Sequence, residues 1–310
     1  MSTKATKLAG LAAAFCFSVL NLLAQPSFVT NRLVAYYPFS GNADDESGNE
    51  NNGTLNGGTL TNNMAGVPNS AYSFNGISDF ISIADFAGAD ADAHTISLWI
   101  NANSWTNMRS SSGLYVDILG KDNLTPGTRQ WVCQGDQTGQ IRWAVFTSMG
   151  EFRMDSNARL QTNQWYQIST VWDGTNESQF INGVFDSSLS APGTLVQSNA
   201  PVRIAGNPSD YQFFDGAISE VRIYDVALTP NQVEELYQYD LGPTISLARA
   251  VQPTFANLTV GSNYQLQVSA DLKTWTNQGG IFIATNSGMA YPQFFYVTNW
   301  SQSFFRLQTR

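Results

Sequence analysis

Apolar and polar residues alternate in several short stretches of this chain. In Thr95-Ile-Ser-Leu-Trp-Ile100, the side chains of Ile96, Leu98 and Ile100 share one face. Ile141, Trp143 and Val145 do the same, and Tyr166, Ile168, Thr170 and Trp172 line one side of the stretch that begins at Trp165. A period of two gives a strand one buried and one exposed face, the habit of antiparallel sheets. In Phe180-Ile-Asn-Gly-Val-Phe185 an Asn-Gly dipeptide separates two apolar pairs. That dipeptide accepts the positive φ angles of a tight hairpin. Short strands parted by turns, with almost no helical periodicity, predict an all-β sandwich or jelly roll.

One helix is readable from its ends. Thr229 is a natural N-cap, Pro230 fits the first helical position and Gln232 can close a capping box. Val233, Leu236 and Tyr237 fall at helical spacing, and Gly242-Pro243 stops the helix. The helix is expected to lie against a large β-rich block, residues 33–240. A smaller block follows at residues 244–310, and the short linker between them predicts two β domains that touch.

The first 24 residues read as an address. Lys4 and Lys7 precede an apolar run over residues 8–23, and the small residue Ala24 marks the expected cleavage site. Residues 25–32 are then a linker. The run is too short and too interrupted by Gly10, Ser18 and Asn21 to predict membrane insertion. Phe15 is too bulky before Cys16 for lipid attachment. The mature chain is therefore expected to be secreted, or held at the surface of a bacterial cell. Cys133 is then its remaining cysteine, so no internal disulfide forms. Stability must come from core burial or a bound metal, and Cys133 itself reads as a small core residue.

The formal charge is −9, and removal of Lys4 and Lys7 makes it more negative still. An acidic surface disfavours nucleic acid and anionic membranes and leaves neutral glycans and cations as partners. Charged residues are only 13% of the chain, so uncharged polar residues must cover the exposed faces, as in many extracellular β proteins.

Chemistry is sparse. His94, the single histidine, starts a strand and reads as a partly exposed loop-end residue, with no nucleophile-elbow sequence nearby. A zinc site needs more His and Cys than the chain carries.

Several segments carry a resemblance. Leu33-Val-Ala-Tyr-Tyr-Pro-Phe-Ser40, Gly41-Asn-Ala-Asp-Asp-Glu-Ser-Gly48 and Asn52-Gly53 come first. Tyr72-Ser-Phe-Asn-Gly-Ile-Ser-Asp-Phe-Ile-Ser82 follows, then Trp165-Tyr166, Val171-Trp-Asp-Gly174 and Phe180-Ile-Asn-Gly183. Gly216-Ala-Ile-Ser-Glu-Val-Arg-Ile-Tyr224 closes the series, with Ala227-Leu-Thr229 after it. In this order they resemble the laminin-G-like domains of the concanavalin-A-like superfamily. The resemblance implies a jelly-roll sandwich of two antiparallel sheets with a curved outer face and with first and last strands as neighbours. It also implies a binding role, since some relatives bind sugars, some bind proteins, and many are attached to hydrolases they assist. The last block, with Tyr264-Gln-Leu-Gln-Val-Ser269, Thr274-Trp-Thr-Asn277 and Phe304-Phe-Arg-Leu-Gln308, resembles a C-terminal module of secreted environmental bacterial proteins. It reads as a small immunoglobulin-like β-sandwich.

Glucanases share this superfamily and carry Glu-x-Asp-x-x-Glu on one strand, which places acid and nucleophile on one face. Glu46, Glu50, Glu151, Glu177, Glu220, Glu234 and Glu235 do not fall in that pattern. The chain therefore reads as a non-catalytic binding module for a glycan or cell-surface polymer. A structural or adhesion protein with a protein partner is the alternative, and a glycoside hydrolase a more distant one.

Two sets of site residues follow. Trp105, in a polar stretch, and Tyr115 are the aromatic residues best placed to be exposed for ligand stacking, with core packing, the common place of tryptophans in a sandwich, as the competing reading. The loop with Asp44, Asp45, Glu46, Ser47, Asn49, Asn51 and Asn52 gathers the hard oxygens that Ca²⁺ prefers. The resemblance places this loop near the closing strand. The expected structural Ca²⁺ ligands are Asp45, Ser47, Asn52 and Glu220, with Asp79 and Asp215 in reserve. The competing reading of the loop is a solvated Asx turn, and of Glu220 an ion pair with an arginine.

Overall fold

The structure is a computed structural model that describes residues 25–106, 114–123, 128–209, 211–242, 250–291, 295–296 and 304–310. The expected address, residues 1–24, and residues 243–249, where the second block begins, lie outside the described residues. The chain divides into two compact units, Met1–Gly242 and Pro243–Arg310.

Two antiparallel sheets form the first unit, with strands numbered along the chain. One sheet runs β13 (Val184–Ser190), β12 (Asn176–Ile181), β11 (Tyr166–Trp172), β6 (His94–Ser104), β17 (Asp215–Tyr224), β4 (Ala71–Asn75) and β3 (Thr59–Thr61). In it β1 (Leu33–Tyr37) also pairs with β17, Leu33 opposite Tyr224 and Tyr37 opposite Val221. The first and last strands are thus neighbours, as the resemblance implied. The other sheet runs β10 (Gly150–Asp155), β9 (Ile141–Thr147), β8 (Trp131–Asp136), β7 (Tyr115–Lys121), β14 (Val202–Ile204), β5 (Phe80–Ile83) and β2 (Gly53–Asn56). A short ribbon of β15 (Gly206–Asn207) and β16 (Gln212–Phe213) stands beside β7.

The alternating residues face one another between the sheets. Ile96, Leu98, Ile100, Ile168 and Trp172 meet Trp131, Cys133, Ile141, Trp143 and Val145 in one core. Burying each such aliphatic or aromatic side chain stabilises by roughly 1.5–3 kcal/mol. Cys133 is buried and free, in the core role its sequence context predicts. The hairpin at Asn182-Gly183 forms with φ angles of 53° and 73°, which suit this dipeptide.

Alternation predicts one exposed face for β6, yet Thr95, Ser97 and Trp99 are buried too. The reason is α1 (Pro230–Leu241), which lies on the outer face of this sheet. Its capping box from Thr229 and Gln232 forms as read, and Val233 and Leu236 join Val171, Phe180 and Tyr224 in a second cluster. Tyr237 stacks on Trp99 with ring centroids 5.5 Å apart. Asp240 accepts hydrogen bonds from Trp99 Nε1 at 2.8 Å and Gln167 Nε2 at 3.0 Å. Arg222, on the same face, bridges Asp240 at 2.7 Å and Glu220 at 2.8 Å. Residues 25–32 are docked rather than a free linker: Val29 joins this cluster, and Tyr224 Oη donates to its carbonyl at 3.1 Å.

The second unit contains β18 (Ala250–Val251), β19 (Thr254–Phe255), β20 (Asn263–Ser269), β21 (Thr276–Ile283), β22 (Met289–Ala290), β23 (Phe295–Tyr296) and β24 (Phe304–Thr309). The sequence predicts an immunoglobulin-like sandwich here. The described strands form a three-stranded sheet, β21-β20-β24, and two ribbons, β18-β23 and β19-β22. Leu258, Tyr264 and Ala284 centre its core, with Phe255, Phe282, Met289 and Leu307 against them.

Candidate functional site

The two sheets differ in what covers them. The helix closes the outer face of the β6 sheet, while among the described residues the outer face of the β8 sheet carries no helix. Along β9, Arg142, Ala144 and Phe146 alternate with the core residues Ile141, Trp143 and Val145 and so point to this face. Register then builds a row across four strands. Asp117 stands opposite Gln134, Gln134 opposite Arg142, and Arg142 opposite Asp155. The next row is smaller and largely apolar: Gly120, Val132, Ala144 and then Arg153. Three strand spacings make each row roughly 14 Å long. A bulge between Asp117 and Leu119 interrupts the β7 register, so both Gly120 and Asp117 reach the outer side.

The polar row is held by its own hydrogen bonds. Gln134 Nε2 donates to Asp117 Oδ1 at 2.7 Å and to Gln212 Oε1 at 3.0 Å. Arg142 grips Asp155 through a fork, Nε to Oδ1 at 2.7 Å and Nη2 to Oδ2 at 2.9 Å. That hydrogen bond to Asp155 is the main reason the arginine's pKa rises further above its ordinary value. Arg142 Nη1 also donates to Tyr115 Oη at 2.7 Å, and its guanidinium lies 4.7 Å over the tyrosine ring.

Beside this row is a small recess of about 10 Å³ lined by Asp117, Gly120, Asp122, Val132, Arg203 and Asn207. The carbonyl of Asp122 accepts from Arg203 Nη1 at 2.9 Å and Asn207 Nδ2 at 3.1 Å. Its carboxylate accepts from Arg129 Nε at 2.7 Å, and the Arg129 guanidinium covers Phe146 at 4.4 Å. Burial opposes the charge on Arg129, but the bond and attraction to Asp122 outweigh it and raise its pKa. At the other end the row meets an open groove of about 440 Å³ along the edge of β10, lined by Arg153, Asp155, Asn157, Phe185 and Asp186. Asp186 is fixed by the N–H groups of Asn157 at 2.7 Å and Ala158 at 3.0 Å, and Phe185 is 56% exposed.

Residues 75–234 match the family model for the concanavalin A-like lectin/glucanases superfamily. The chain belongs to this superfamily. It is similar to the binding domain of Paraclostridial Mosquitocidal Protein 1, with a TM-score of 0.58 at 17% identity over 78% of this chain and 62% of that one. It is similar to domain 4 of AbnA, an extracellular arabinanase from Geobacillus stearothermophilus solved in complex with arabinotriose. There the TM-score is 0.52 at 26% identity, over 67% of this chain and 98% of that one. The binding domain of botulinum neurotoxin serotype G gives 0.53 at 15% identity, over 76% and 56%. The chain thus spans less than two-thirds of the two toxin binding domains, and their likeness is one of fold. No curated protein sequence matches the chain.

Within this superfamily fold, the residues singled out from sequence lie in different places. Trp105 is not exposed; it is 6% accessible and packs in the core, its Nε1 donating to the Leu160 carbonyl at 3.0 Å. Its ring lies so close behind β8 that a Cβ on Gly135 would stand 2.4 Å from it. A polar stretch around it concealed that it faces inward. Tyr115 is half-buried at the end of the polar row, but Arg142 covers its ring. His94 is buried rather than partly exposed, between Trp131 and Trp172, and burial lowers its pKa to about 4.

The six residues expected around Ca²⁺ are not brought together. Asp45 Oδ1 accepts the N–H groups of Tyr36 and Ser47, each at 2.9 Å, and its Oδ2 accepts that of Asn51 at 2.9 Å. Asn52 Oδ1 accepts the Asp45 N–H at 2.9 Å. Ser47 Oγ donates to the Val34 carbonyl at 3.4 Å. Glu220 pairs with Arg222 at 2.8 Å and accepts from Tyr36 Oη at 2.6 Å. Asp79 accepts from Asn75 Nδ2 at 2.9 Å, and Asp215 accepts from Asn103 Nδ2 at 2.9 Å. Asp45 Oδ1, with two N–H donors, has both lone pairs taken, and the other oxygens each already serve a partner within the chain. Among the described residues no group of three or more His, Cys, Asp and Glu is placed to hold a metal ion. The loop is an Asx-type scaffold that ties residues 42–52 to β1, and Glu220 is the arginine partner.

Asp117, Gln134, Arg142 and Asp155 were not singled out in the sequence. The available signal was a polar residue at alternate positions of strands whose other positions are apolar.

Proposed function

We propose that the chain is a secreted, non-catalytic module that binds a glycan across the outer face of the β8 sheet. The observation that carries this is the polar row Asp117–Gln134–Arg142–Asp155, on a sheet face that no helix covers among the described residues. A sugar presents C–H faces and hydroxyl rims, and each hydroxyl both donates and accepts. Planar acids, amides and guanidinium groups answer the rim. Self-satisfied hydrogen bonds hold the row in place before a ligand arrives, which lowers the ordering cost of binding. The likeness to an arabinanase domain solved with arabinotriose supports a glycan ligand. The leader-like first 24 residues support secretion.

Hydrolysis of a glycosidic bond needs two carboxyl groups across the bond, one with a raised pKa. Burial raises the pKa of Glu177, in the core, and of Glu220 and Asp240, beside Arg222 on the opposite sheet. On the candidate face, Asp155 is tied to Arg142 and Asp117 accepts from Gln134.

A glycan array followed by titration tests the reading. Gln134→Ala and Arg142→Ala should each weaken binding about tenfold, or ~1.4 kcal/mol. Release of reducing ends from a bound polysaccharide would overturn the non-catalytic assignment, and binding unchanged in both variants would overturn the site.

A further inference from the structure

We infer that the ligand of this face is an uncharged polysaccharide, without carboxylate, sulfate or amino groups; the inference rests on the glycan reading above. The reason is the state of the charges already there. Arg129 pairs with Asp122 at 2.5 Å, Arg142 with Asp155 at 2.7 Å and Arg153 with Glu151 at 2.6 Å. Arg203 donates to the Asp122 carbonyl at 2.9 Å. Each described guanidinium on the face therefore already has an acceptor.

A uronate or sulfate ester would have to take a guanidinium from its partner. For Arg142 that means breaking a two-bond fork to Asp155 and leaving the displaced carboxylate beside the incoming anion. The chain's charge of −9 adds a long-range repulsion. An amino sugar is drawn by the chain's charge, but Asp122, Glu151 and Asp155 are neutralised by arginines and Asp117 accepts from Gln134, so its ammonium must compete with donors already in place. A neutral hydroxyl has no such conflict. A carboxylate oxygen that accepts one hydrogen bond keeps another lone pair, so hydroxyls can add to the paired groups without parting them. Charge pairing thus selects against ionic ligands while leaving the face polar.

Calorimetric titration of the whole chain tests this with three oligosaccharide series of equal length. The first is neutral (arabino-, xylo- and gluco-oligosaccharides), the second anionic (oligogalacturonates and sulfated oligosaccharides), the third amino-sugar oligomers. At least one neutral series should bind about tenfold or more tighter than the charged ones. Its Kd should change less than about twofold between roughly 50 and 500 mM salt, because no net ion pair forms. Gln134→Ala should weaken that binding about tenfold while melting as the parent does. Tighter binding of a charged series, falling steeply with salt and reduced by Gln134→Ala, would overturn the inference and leave the glycan site standing. Binding that Gln134→Ala leaves unchanged, or no binding by any series, would overturn the site and the inference together.

Discussion

The ammonium of Lys121 lies 2.5 Å from Asp85 Oδ1 and has no solvent exposure. Asp90 Oδ1 stands at 3.2 Å, and the carbonyls of Ser198 and Ala200 accept from the same nitrogen at 2.8 and 3.0 Å. Four oxygens from two separate segments thus converge on the end of β7. The sequence suggested a cation to staple this disulfide-free sandwich, and here an ammonium carried by the chain fills such a shell. Lys121→Ala leaves two carboxylates facing each other without their cation. They are partly exposed, so the cost is about 3 kcal/mol, at the lower end for a broken buried pair. Urea unfolding should show a lower midpoint with an unchanged slope. A loss below about 1 kcal/mol would mean that the shell contributes little.

Glu177 sets the response to alkali. It is buried on the core side of β12, its Oε1 accepting from Thr170 Oγ1 at 3.3 Å, and burial raises its pKa to about 8. In the unfolded chain it titrates near 4.5. Between these values the folded state holds a proton that the unfolded state releases, so stability falls as pH rises through the window. The slope is up to about 1.4 kcal/mol per pH unit. Glu177→Gln, which keeps the shape and removes the titration, should lose this slope and be more stable than the parent above pH 8. His94 works in the opposite sense. Its folded pKa of about 4 lies below the ordinary 6.5, so its contribution is present above 6.5 and is lost as pH falls towards 4. Chemical denaturation across pH, in parent and variant, checks both signs.

Asp45 anchors its loop through three backbone N–H groups. Asp45→Ala leaves those donors without their acceptor, at a cost of about 2–4 kcal/mol in total. The same melting curve is expected with a chelator and with added Ca²⁺, because among the described residues no group of three or more acidic, His or Cys side chains surrounds this carboxylate. A Ca²⁺-dependent rise in melting temperature, abolished by Asp45→Ala, would restore a metal role for the loop.

Much of the architecture was legible because it is local. The two-residue period of Ile96, Leu98 and Ile100 reports a buried face wherever the strand lies. The Asn182-Gly183 hairpin and the Thr229–Gln232 capping box depend on residues adjacent in sequence, and both form as read. Period two gave no hint that Trp99 is covered as well, because the covering residue Tyr237 is remote in sequence.

The site was not legible for the same reason. Trp105 looked exposed among polar neighbours, but its direction is fixed by packing against Gly135 and Phe214. Glu220 read either as a cation ligand or as an arginine's partner, and the structure decides for the pair with Arg222, with Tyr36 Oη as a second donor. Asp117, Gln134, Arg142 and Asp155 become one row only through the registers of three strand pairs, one of them past a bulge. The sequence by itself determined which segments become strands and which of their faces is apolar, since side-chain sterics and periodicity act over a few residues. The tertiary structure alone decided which polar residues meet, because a one-residue shift in register would move each of them to the other face of the sheet.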